Sequence, residues 1–266
     1  MYEFNYQKAT SVADAASKLG AGTDTRLLAG GQTLIAAMKL RLAAPTDIID
    51  ISDIAELRGI EASNDGLIIG AMTTHADVAS SNDVKKQLPA LAYLAQTIGD
   101  PMVRNMGTIG GSIANNDPAA DYPAALLGLG ATIKTNKRDI AADDFFAGMF
   151  MTSLEPGEII ESVSFAKPKR AAYMKFSNPA SRYAIVGVFV AETGSGVRVA
   201  VTGAGACVFR VAEMEKALAA KFSADSVAGI NVSSDDLNAD LHASADYRAH
   251  LITVMAKRAV ETAVAG

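Results

Sequence analysis

One cysteine, Cys207, in 266 residues leaves no partner for an intrachain disulfide, and too few thiolates for a zinc or iron–sulfur site built from this chain alone. Basic charge is also in short supply: 24 Lys and Arg stand against 29 acidic residues, a net charge of −5 that gives a nucleic-acid backbone no electrostatic footprint. Long hydrophobic runs are missing, since stretches such as 184–191 fall well short of the roughly 20 residues that a membrane span needs. The opening Met1-Tyr2-Glu3-Phe4-Asn5-Tyr6 carries no basic region leading into an apolar run, so no secretory signal is expected. These absences predict a cytoplasmic protein with no membrane span and no nucleic-acid partner.

Several chemical signatures are absent too. Gly128-Leu129-Gly130 and Gly203-Ala204-Gly205 each lack the third glycine of a dinucleotide fingerprint, and no lysine follows a glycine pair as in a P-loop. The histidines His75, His242 and His250 stand in no zinc spacing and beside no nucleophile elbow, which predicts surface or capping roles. Cys207 reads as an inert thiol in an apolar strand. There is no internal repeat or low-complexity tract.

What is present is a core: half of the residues are apolar and a fifth charged, enough for one large domain or two smaller ones. Val12, Ala15, Ala16 and Leu19 form a helical stripe after a Thr10 or Ser11 cap, ending near Gly20. A strand at 26–29 runs into Gly30-Gly31, and 32–40 reads as a helix. Strands are expected at 47–51, and at 59–62 with 67–72 around an Asp65-Gly66 turn. Helical turns cover 76–98, and 100–117 reads as a structured loop. A helix at 118–127 with proline in its first turn, and strands at 131–135 and 159–165, lead to the basic, proline-containing stretch 166–170. Beyond it, strands at 173–176, 184–192, 197–203 and 206–210 and helices at 212–220 and 247–264 make a smaller α+β unit.

Two glycine motifs carry the chemistry. Ala29-Gly30-Gly31-Gln32-Thr33-Leu34 places backbone donors and a hydroxyl at a helix start, which suits a diphosphate; the alternative is a tight turn with Thr33 as its cap. Gly107-Thr108-Ile109-Gly110-Gly111-Ser112, followed by Asn115 and Asn116, repeats the pattern with more hydroxyls and amides, and reads either as a second set of phosphate or ribose donors or as a loop that lets backbones approach closely.

These motifs, with 99–106, Ile69-Gly70-Ala71-Met72-Thr73-Thr74-His75, Glu155-Pro156-Gly157-Glu158, Asp117-Pro118 and the C-terminal Tyr247-Arg248, closely resemble the FAD-binding medium subunits of molybdenum hydroxylases, those of the aerobic carbon monoxide dehydrogenase type above all. The resemblance covers nearly the whole chain. It implies an α+β fold: a two-part FAD-binding domain of the vanillyl-alcohol oxidase (PCMH) type over 1–168, with parts of about 1–56 and 57–168, then a smaller α+β domain over 169–266. It further implies that Ala29, Gly30, Gly31, Gln32, Thr33 and Leu34 with Thr108, Ile109, Gly110, Gly111 and Ser112 hold the FAD pyrophosphate, with Asn115 and Asn116 nearby. Asp121 matches a carboxylate near the dinucleotide, and Lys175 and Tyr183 match positions at the flavin end. Gln32-Thr33 stands where His-Ser or Gln-Ser is more usual, a change that keeps a hydroxyl.

By the same resemblance, molybdopterin sits on a large partner subunit and [2Fe–2S] clusters on a small one, in a dimer of heterotrimers. FAD on this chain passes electrons to an external acceptor. A stand-alone FAD oxidoreductase and a non-catalytic assembly module are the alternatives, and no catalytic acid or base of this chain is nominated. Arg104, in the approach to the second motif, is a candidate anchor there.

Overall fold

The computed structural model describes residues 1–22 and 24–266. Its first sheet is parallel: β1 (Asn5–Lys8), β2 (Thr25–Leu28) and β3 (Asp47–Asp50), with β3 in the middle. The helices α1 (Val12–Ala21) and α2 (Leu34–Lys39) form the crossovers that parallel strands require. The Ser11 hydroxyl caps α1 by accepting from Asp14 N at 3.1 Å, and the helix runs one residue past Gly20. The strand β1 carries no apolar alternation and is exposed throughout, so nothing in its sequence announced it.

A five-stranded antiparallel sheet follows, in the order β4 (Ile60–Ala62), β5 (Gly66–Gly70), then Ile160–Ala166, β6 (Thr132–Thr135) and β7 (Asp139–Ala141); a small hairpin, β8 (Phe146–Gly148) with β9 (Met151–Thr152), precedes Ile160–Ala166, which is β10. Four antiparallel strands, β11 (Arg170–Ser177), β12 (Ala184–Thr193), β13 (Gly196–Thr202) and β14 (Phe209–Arg210), form the last sheet. The strand expected at 206–210 is reduced to two residues, and Cys207 lies half-buried in the bend before it, its sulfur 3.5 Å from Asn116 Nδ2, so the expectation of a strand thiol is corrected.

Between β5 and β6 the chain is helical: α3 (His75–Ser80), α4 (Asn82–Gln87), α5 (Pro89–Thr97), α6 (Pro101–Met106), α7 (Ile109–Asn115) and α8 (Tyr122–Leu129). The segment 100–117, expected to be a loop, is thus two short helices. Each has a side-chain cap: Asp100 Oδ1 accepts from Val103 N at 2.9 Å, and Thr108 Oγ1 from Gly111 N at 3.1 Å. The glycines that argued against helix are accommodated because tertiary contacts hold them. The helix expected from Pro118 starts instead at Tyr122, with Pro123 in its first turn.

Every residue of α8 is buried, as befits a helix apolar all round. It packs between the two antiparallel sheets, and its core cluster joins Leu67, Ile133 and Phe165 to Tyr173 and Phe189. A second cluster lies under α12 (Ala245–Ala265), reached after α9 (Ala142–Phe145), α10 (Ala212–Ala220) and α11 (Ala224–Ala228); a third, around Ile49, Leu57 and Ile159, seals the parallel sheet. No helix among the described residues is long and apolar enough to cross a membrane.

Candidate cofactor site

The first glycine motif bridges the end of β2 and the start of α2. Gly31 adopts φ +71°, a left-handed conformation that glycine takes without strain. The turn leaves a run of free donors: among the described residues, the amides of Gly30, Gly31, Gln32, Thr33 and Leu34 find no protein acceptor. Thr33 precedes α2 but makes no capping bond, so its hydroxyl also stays free and the tight-turn alternative with a Thr33 cap loses its cap. Gly30 has no room for a side chain, because a Cβ there would lie 1.9 Å from the Met106 carbonyl oxygen. The first motif is therefore pressed directly onto the junction of α6 and α7.

The second motif works differently from the expectation. Its first-turn amides are already spoken for: Ile109 N donates to Thr73 O at 3.1 Å, Gly110 N to Ala71 O at 2.8 Å, Gly111 N to Thr108 Oγ1 at 3.1 Å and Ser112 N to Thr108 O at 3.0 Å. What this motif contributes is close approach, together with the hydroxyl of Ser112 and the amide of Asn115, which face the same cavity.

That cavity has a volume of about 780 Å³, within the usual range for cofactor sites. Ala29, Gly30, Gly31, Gln32, Thr33 and Leu34 line one wall; Thr108, Gly110, Gly111, Ser112, Asn115 and Asp121 line another, and Tyr183 stands at the mouth, 49% exposed. Burial raises the Tyr183 phenol, with Asp117 and Asp121 adding to the effect. The loop that carries it is drawn tight by Asn178 N donating to Tyr183 O at 2.8 Å, and Arg182 there adopts φ +64°.

Three expected site residues do not line the cavity. Ile109 is fully buried in the core. Asn116 takes a left-handed turn at the end of α7, and its amide donates to Gly148 O at 2.8 Å and Met151 O at 2.7 Å; its role is to fasten the β8–β9 hairpin to α7. Lys175 acts through Asp121: its ammonium lies 2.9 Å from Asp121 Oδ2 and donates to Thr97 O at 3.2 Å, while Tyr173 donates to Asp121 Oδ1 at 2.5 Å. Burial pushes the Asp121 carboxyl up, and Lys175 and Tyr173 pull it back. Both of its oxygens are thus engaged within the protein, on lone pairs that leave others free for a ligand hydroxyl. Arg104 holds the turn before α6, donating to Ile98 O at 3.0 Å and Gly99 O at 3.2 Å.

Among the cavity residues that were not foreseen, two are buried and ionisable. His75, expected at the surface or at a cap, is only 5% exposed; His242 and His250 are exposed as expected. Glu158 is the other, and four bonds reach its carboxylate: Thr135 Oγ1 at 2.8 Å, Arg138 Nε at 3.0 Å and Nη2 at 3.2 Å, and Glu155 N at 2.7 Å. Arg138 and these donors hold the carboxyl down at about 2. A depressed carboxylate stabilises the fold fully above the ordinary glutamate value of 4.5, and that contribution is lost as pH falls from there towards about 2. We expect urea unfolding at pH 3 to show a loss relative to pH 6 on the order of 2 kcal/mol that Glu158→Gln largely abolishes. Parallel pH profiles for parent and variant would refute it.

Comparison with known proteins shows the family. Residues 2–168 match the family described as the FAD binding domain in molybdopterin dehydrogenase. The carbon monoxide dehydrogenase medium chain of Hydrogenophaga pseudoflava is 37% identical, with 98% of this chain and 96% of that one covered. The glyceraldehyde dehydrogenase medium chain of Sulfolobus acidocaldarius is 36% identical over 97% of each. A solved structure of carbon monoxide dehydrogenase from Hydrogenophaga pseudoflava, lacking the Mo-pyranopterin moiety of its molybdenum cofactor, superposes with a TM-score of 0.90 over 99% of this chain and 98% of that one. With its α+β architecture and its cavity walled by two glycine motifs, the chain belongs to the FAD-binding medium-subunit family of the molybdopterin dehydrogenases.

Proposed function

We propose that this chain is the flavin subunit of a cytoplasmic molybdenum hydroxylase, taking electrons from [2Fe–2S] clusters on a small partner and passing them to an external acceptor, while a large molybdopterin-bearing partner oxidises the substrate. The assembly is a dimer of heterotrimers. The observation that carries this reading is the run of five amides, Gly30 to Leu34, that find no protein acceptor among the described residues, in a segment lining a cavity of about 780 Å³. A diphosphate satisfies such donors without the help of a basic cluster.

FAD, when bound, supplies a centre that accepts and releases electrons. The chain's own residues bind and orient it. The Gly30–Leu34 amides and the Thr33 and Ser112 hydroxyls take the diphosphate oxygens; Asp121, fixed by Tyr173 and Lys175, accepts hydroxyls of the sugar portion; Tyr183 covers the open end with its ring. The division at residue 168 belongs to the same reading: the parallel sheet falls in 1–56, the five-stranded sheet in 57–168 and the four-stranded sheet in 169–266.

Gentle purification of the tagged chain from its native host tests the assembly. We expect a large molybdenum-containing chain and a small iron–sulfur chain by mass spectrometry. Flavin without partners would point to a stand-alone oxidoreductase, and partners without flavin to an assembly module.

A further inference from the structure

His75 opens α3, its backbone amide donating to Gly107 O at 2.9 Å. Its ring is buried and lines the cavity. The ring lies directly behind the glycine contact: a Cβ on Gly30 would strike Met106 and Gly107, and a Cβ on Gly107 would lie 2.6 Å from His75 Nε2. His75 therefore stands beneath the point where the two motifs meet.

Its other nitrogen is unaccounted for. Nδ1 is fully buried and has no hydrogen-bond partner, and the same holds for the hydroxyl of Tyr122, whose ring centroid is 5.3 Å from that of His75. Among the described residues, an orphaned buried nitrogen on a cavity-lining ring is costly and calls for a use. The two rings are tilted by 47°, and no direct bond joins Nδ1 to the Tyr122 hydroxyl.

We propose that His75 is a cofactor-binding residue: its imidazole offers Nε2 to the anionic diphosphate end of FAD from beneath the glycine contact. The inference rests on the reading of the cavity as the FAD site. Burial and the Arg104 charge hold the free ring down at about 4, so it is neutral in the empty chain at neutral pH. A diphosphate beside it favours the protonated form, so binding takes up a proton and affinity rises as pH falls.

Arg104 on α6 is the charge that acts on the ring, and Tyr122 on α8 is the titratable ring beside it; of the other titratable groups on the helices packed against α3, Tyr93 on α5 is 47% exposed, and Asp83, Lys85 and Lys86 on α4 are exposed. The cavity carboxylates Asp100, Asp117, Asp121 and Glu158 are common to parent and variant, so a difference between the two isolates His75.

The test is FAD titration of the deflavinated complex by fluorescence between about pH 5 and pH 8, for the parent and for His75→Gln. Between pH 8 and pH 5 the parent should gain about tenfold in affinity for each unit by which the FAD-bound ring titrates above pH 5, and His75→Gln should bind more weakly and lose that extra slope. Equal affinities with parallel slopes would overturn the proposal while leaving the FAD site intact. A parent that binds no FAD at any pH would instead overturn the reading beneath it. Should His75→Gln fail to fold, nitrogen-15 shifts decide in the unaltered complex with this chain alone labelled, where three histidines contribute and two are exposed. The buried ring's shifts must move on FAD addition; shifts that stay put would sink the proposal.

Discussion

Lys175→Met will destabilise the fold by about 3 kcal/mol at neutral pH, because it leaves the Asp121 carboxylate buried without its countercharge. The side chains of the pair are only 3% and 5% exposed, and Tyr173 is the one remaining donor to Asp121. Burial already raises the Asp121 carboxyl, and losing the ammonium raises it further. The folded variant then holds a proton that the unfolded chain releases at neutral pH. Stability rises with falling pH for such a group, so the deficit should shrink towards pH 5. Denaturant unfolding of parent and variant at the two pH values checks both statements, and a deficit that grows on acidification would contradict them.

Gly30→Ala is expected to lower FAD affinity at least tenfold, about 1.4 kcal/mol, while leaving most of the fold's stability in place. The added methyl cannot share space with the Met106 carbonyl, so either the loop or the α6–α7 junction must move. The shift falls on the segment that holds the free amides, whereas the core clusters lie elsewhere. Flavin fluorescence titration with thermal unfolding separates the two effects. Unchanged affinity in a folded variant would mean that the amides of this loop are not the diphosphate cradle.

The legible parts of the fold were those with local signals. The cap at Ser11, the Asp-Gly turn at 65–66 and the apolar strand 184–192 each declare themselves within a few residues. The segment 100–117 did not, although its caps Asp100 and Thr108 were in plain view, because the helix-averse Gly107, Gly110 and Gly111 stand on both sides of Thr108. Gly107 packs on His75 and Gly110 on Ala71, and Ile109 N donates to Thr73 O; these partners lie more than 30 residues away in sequence, invisible to any local rule.

The site shows the same division. A glycine pair before a helix could be read as an anion cradle from backbone chemistry alone, and the structure leaves its amides free. Which of two such motifs keeps its donors could not be read, since the second loses them to a strand end that the first does not meet. Asn116 and Lys175 sit beside the site in sequence or by resemblance, yet spend their polar atoms on Met151 and Asp121. His75 and Glu158 went unassigned because their burial is decided by how α3 and the 155–158 turn pack, which no spacing reveals.

The most direct test of the central claim is the amount of acid-released FAD per mole of this chain in the assembled complex. The account predicts one FAD per chain; an active, fully assembled complex without flavin would contradict it.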